Sequence, residues 1–87
     1  HLSEPLCLAI RHHHDLPASA ALRAQVAPET RVMVAIGLAA EQIYCSATGD
    51  LCHDWAQADE WVFDELGLTQ ENLTEATGRF KALLAQA

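Results

Sequence analysis

Between Pro28 and Ala47 the chain carries Val32-Met33-Val34-Ala35-Ile36, then Leu38-Ala39-Ala40, then Ile43. Wound at about 100° per residue, these side chains leave a helix apolar nearly all round, and such a helix belongs in the middle of a bundle. Pro28 and Glu29 suit its first turn. Gly37 would let a neighbouring helix approach closely, and Thr48-Gly49-Asp50 makes a turn after it. With 87 residues there is material for one small domain, residues 1–87 taken as a single helical unit. The remaining segments are too few to cover so greasy a helix, so its second face needs a partner surface. The expected cover is the rest of a larger helical domain, of which this chain is the C-terminal portion. A second copy of the chain, forming a homo-oligomer, is the alternative.

Three further helices follow from periodicity and punctuation. From about Glu4 to His14, Ser3 can act as N-cap and Pro5 fits the first turn, while Leu2, Leu6, Ala9, Ile10 and His13 share one face. Pro17 ends that helix. Leu16 to Ala27 carries only the thin stripe Ala21, Leu22 and Val26 and reads as a loop with a short helical turn. From about Trp55 to Leu66 the stripe is Trp55, Ala58, Val62 and Leu66, flanked by Phe63; Asp54 can cap it with Gln57, and Gly67 closes it. Thr69 caps the last helix, Leu68 against Leu73 fits a hydrophobic staple, and Leu73, Ala76, Thr77, Phe80, Leu83 and Leu84 follow the i, i+3, i+4, i+7 rule. No segment alternates long enough to be a strand. The expected class is all-α, a bundle of about four helices.

Charge narrows the partners. Twelve acids stand against five bases, for a net charge of −7. Asp50, Asp54, Asp59, Glu60, Asp64 and Glu65 share one window without a Lys or Arg, which would repel a nucleic-acid backbone. No uncharged apolar run approaches the roughly 18 residues a membrane span requires. No secretion signal is visible, and the odd count of Cys7, Cys45 and Cys52 suggests reduced thiols in a cytoplasm.

Chemistry has one focus. Arg11-His12-His13-His14-Asp15 places adjacent imidazoles beside a carboxylate, donors able to ligate a divalent metal. The metal candidates are His13, His14 and Asp15; the simpler reading of His13 is a core histidine satisfied by a carbonyl or by Asp15. A hydrolytic centre would also need a carboxylate from the inward face of the 28–47 helix, where Glu41 is the nearest candidate. That set stays incomplete, so no catalytic or cofactor-binding residue is assigned and no cofactor is expected. Trp55 and Trp61 read as packing residues. Ser46, Thr48 and Cys7 lack a base to activate them, and no glycine-rich phosphate loop exists.

Leu2-Ser3-Glu4-Pro5-Leu6, then Ala9-Ile10, then His13-His14-Asp15 resembles the "L-P-x-x-(x)-A-I-x-x-H-H-x" segment of HDOD domains, the HD-related output domains of bacterial signalling proteins. Val34-Ala35-Ile36-Gly37-Leu38-Ala39 is similar to their following helix, and Leu66-Gly67-Leu68-Thr69 to the junction before their last one. The likeness spans most of the chain. It implies an HD-domain/phosphodiesterase-like helical fold, a chain that is the C-terminal part of the domain, and a non-catalytic regulatory module. Its implied partners are other signalling domains of the parent chain or separate proteins, with no nucleic acid and no membrane. The catalytic HD-GYP relatives continue beyond the paired histidines with a signature that Leu16-Pro17-Ala18-Ser19-Ala20 lacks. The distal Asp of HD enzymes would fall near Ala40 or Glu41. The rival reading is therefore a metal-dependent phosphohydrolase acting on a nucleotide or cyclic dinucleotide, with its remaining ligands upstream. A purely structural oligomerisation domain is the third.

Overall fold

The computed structural model describes Glu4, Cys7, residues 15–50 and residues 55–86. Glu4 and Cys7 are helical and exposed, and the rest of the expected Glu4–His14 helix lies outside the described residues. After Asp15 comes a 3-10 turn, Leu16–Ala18, and then four helices: α1 (Ala20–Gln25), α2 (Pro28–Thr48), α3 (Trp55–Leu66) and α4 (Gln70–Gln86). The described residues contain no strand, and the architecture is an all-α bundle.

Helix α2 is the axis. Ala27 is extended (φ −63°, ψ 148°), as a residue before proline prefers, and Pro28 then opens the helix with its missing N–H at a position where no helical acceptor exists. Twenty-one residues later Gly49 stops it in the left-handed region, φ 83°, a conformation that strains any residue with a β-carbon. The chain reverses sharply there, and the Asp50 N–H donates to the Cys45 carbonyl at 2.9 Å. Gly67 ends α3 in the same manner, with the Leu68 N–H on the Phe63 carbonyl at 3.0 Å. Thr69 then caps α4 reciprocally: its hydroxyl accepts from the Asn72 N–H, and the Asn72 side-chain oxygen accepts from the Thr69 N–H.

α3 and α4 both pack on α2, while the 3-10 turn packs on α3. The buried core is Leu16, Val34, Ala35, Leu38, Ala39, Ala58, Val62 and Leu73. Its three alanines allow the helices close together. Trp55 and Phe63 close one edge, edge to face at 5.6 Å between ring centroids.

Three expectations require correction. The Leu16–Ala27 segment is more ordered than a loop with one turn: Ser19 caps α1 by accepting from the Leu22 N–H at 3.1 Å, and Leu16 and Pro17 are buried. The last turns of α4 leave their apolar stripe outside the core, with Leu83 64% and Leu84 43% exposed, because no described element packs over them. Cys45 is disulfide-bonded rather than reduced, and its partner lies outside the described residues. Cys7 is a free thiol.

Candidate functional site

His13 and His14 lie outside the described residues. Asp15, the third metal candidate, is exposed at the start of the 3-10 turn. Its carbonyl accepts from the Ala18 N–H at 3.2 Å, and its carboxylate makes no capping bond. Glu41 does not face inward. The buried side of α2 is Thr30, Val34, Ala35, Leu38 and Ala39, which turns position 41 to the exposed side. Among the described residues no three His, Cys, Asp or Glu side chains converge as metal ligands. Ser46 and Thr48 are occupied locally: Ser46 accepts from Gln42 at 3.0 Å, and the Thr48 hydroxyl donates to the Tyr44 carbonyl at 2.9 Å.

The structure instead brings together two features. The first is a clamp at the start of α2. Arg23, on α1, donates to the Leu16 carbonyl at 2.7 Å and the Pro17 carbonyl at 3.0 Å, and its guanidinium lies 5.3 Å from the centre of the Trp61 ring. Arg31, on α2, donates to the Val26 carbonyl at 3.0 Å and pairs with Glu65 of α3 at 3.1 Å. The Trp61 indole N–H donates to the same Glu65 oxygen at 3.3 Å. Trp61 is thus a polar hub as well as a packing residue. Arg23 Nη1 and Arg31 Nη1 donate to main-chain carbonyls, that of Arg23 among them, and Arg31 Nε to one carboxylate, so this cluster holds the α1 segment in place. Next to Arg31 in sequence, Thr30 is fully buried, and its hydroxyl has no hydrogen-bond partner among the described residues.

The second feature is an open apolar seam. On α2, Met33 is 38%, Ile36 54% and Tyr44 53% exposed. Two hollows lie along it. One, about 570 Å³, is lined by Pro28, Glu29, Val32, Met33 and Ile36. The other, about 360 Å³, is lined by Ala40, Ile43, Tyr44 and Phe80. Tyr44 and Phe80 meet at 6.2 Å, tilted by 45°. At Gly37, on the same helix, a β-carbon would meet no atom within 4 Å. Across the bundle, Gln42, Ser46, Gln70, Thr74, Thr77 and Lys81 line a smaller polar groove of about 290 Å³ between α2 and α4.

The seam was foreshadowed by the all-round apolar pattern of residues 28–47. The clamp was not, although the four-residue spacing of Trp61 and Glu65 placed an indole and a carboxylate on one helix face. No helix of the described residues is long and apolar enough to cross a membrane. No family model, curated protein or solved structure matches this chain.

Proposed function

We propose that the chain is a non-catalytic regulatory module of the HDOD type that works through contacts with attached domains or separate proteins. The observation that carries this reading is the open seam on α2: large apolar side chains, half exposed, on the central helix of the bundle. Contiguous exposed apolar surface on a small domain marks an interaction site. One further observation agrees with it: Glu41, which a metal centre would require inward, faces outward. In this reading the module acts in a bacterial cytoplasm, where a disulfide at Cys45 would be transient or redox-responsive.

The test is hydrolysis. The purified parent protein is assayed on a phosphodiester and on cyclic dinucleotides with Mn²⁺, Fe²⁺ or Zn²⁺ supplied, and its metal content is measured. The expected result is no turnover and no stoichiometric metal. Turnover that a chelator stops, and that His13→Ala or His14→Ala removes, replaces this reading with the phosphohydrolase.

A further inference from the structure

We propose that the seam on α2 is the docking site for a basic amphipathic helix of a partner protein; the proposal rests on the regulatory reading above and names the partner's chemistry. The seam residues Glu29, Met33, Ile36, Ala40 and Ile43 are spaced four, three, four and three along α2. That alternation is the spacing by which one helix packs along another. Ala40, with its small side chain, keeps the seam low at the second hollow, so an incoming helix can approach closely there.

Charge selects between occupants. The net charge of −7 sets two copies of the chain against each other and favours a cationic partner. The cations that could offset it are engaged elsewhere. Arg23 and Arg31 are held in the clamp, and Arg79 pairs with Glu75 at 2.7 Å. Lys81, the remaining cation among the described residues, lines the polar groove rather than the seam. Glu29 lines the seam at its N-terminal end. A helix with apolar residues at i, i+3, i+4 and i+7 and lysines or arginines on its flanks satisfies both the grease and the charge.

The probe is a labelled helical peptide of leucines and lysines in that pattern, set against a leucine–glutamate peptide of the same pattern. Both are titrated into the full chain by fluorescence anisotropy, with sedimentation giving the chain's mass. One-to-one saturable binding of the lysine peptide alone is expected. Ile36→Glu separates docking from general attraction, because it adds a negative charge while spoiling the apolar seam. Seam docking predicts at least a tenfold loss of affinity; attraction by charge alone predicts tighter binding. Ile36→Ser, which leaves the charge unchanged, should also weaken binding, and circular dichroism checks that both variants stay helical. Four results overturn the proposal: no binding, equal binding of both peptides, a dimer that Ile36→Glu dissolves, or a monomer that Ile36→Glu destabilises, since the chain itself then covers the seam. None of these touches the non-catalytic reading, which hydrolysis and metal content decide.

Discussion

Leu16→Ala tests whether the short turn before α1 belongs to the core. Leu16 is 0% exposed and packs with Ala58 and Val62 in the central cluster. Truncation removes three carbons, at about 0.8 kcal/mol each for transfer from water. The surrounding helices relax only partly, so a residual cavity adds to that loss and brings the total to about 3 kcal/mol, inside the range for buried Leu→Ala. Unfolding a chain of 87 residues carries an entropy of about 0.18 kcal/mol/K, from about 2.1 cal/mol/K per residue. The expected fall in Tm is therefore about 16 °C, followed by circular dichroism at 222 nm. Leu83→Ala is the matched control. The same atoms are removed from a side chain that is 64% exposed, and Tm should move by less than about 3 °C. A Leu16→Ala shift below about 5 °C would refute the argument, because a turn that contributes so little cannot be packed as described.

Thr30→Val replaces a buried hydroxyl that lacks a partner with a methyl of similar size, and should raise stability by about 1 kcal/mol, seen as a higher urea midpoint at unchanged slope. Glu65→Gln weakens the acceptor shared by Arg31 and Trp61 and should cost about 1 kcal/mol; raising the salt concentration should shrink the gap between variant and parent. Cys7 should react with a maleimide under native conditions, whereas Cys45 should react only after reduction, as peptide mass spectrometry would show.

What the sequence made legible were the elements with strong local chemistry. Pro28 marked the start of α2, Gly49 and Gly67 marked the ends of α2 and α3, and Thr69 marked the cap of α4. Each of those signals acts within one turn of chain. Leu16 gave no such signal, because a three-residue turn has no period to detect; its burial comes from α3, more than forty residues later in sequence. Arg23 and Arg31 looked like surface bases. Apart from Glu65, their acceptors are the carbonyls of Leu16, Pro17, Arg23 and Val26, which every residue carries and no pattern of side chains reveals. Leu83 and Leu84 erred in the other direction. Their helical spacing is that of a buried stripe, yet burial also requires a neighbour, and none of the described elements reaches them. Of the candidate site, the seam followed from the 28–47 pattern. Of the metal candidates, Asp15 alone falls among the described residues, and it stands exposed.

The arginine clamp carries a consequence for how such a chain can drift over time. Its two guanidinium groups grip the backbone at four carbonyls, those of Leu16, Pro17, Arg23 and Val26, and these contacts do not themselves depend on the side chains those residues carry. The donors have less freedom: Arg31 sends Nη1 to backbone carbonyls and Nε to Glu65, a fork that the single ammonium of lysine does not present. Divergent copies would thus hold on to two arginines, the tryptophan and Glu65, the side-chain acceptor that Arg31 and Trp61 share.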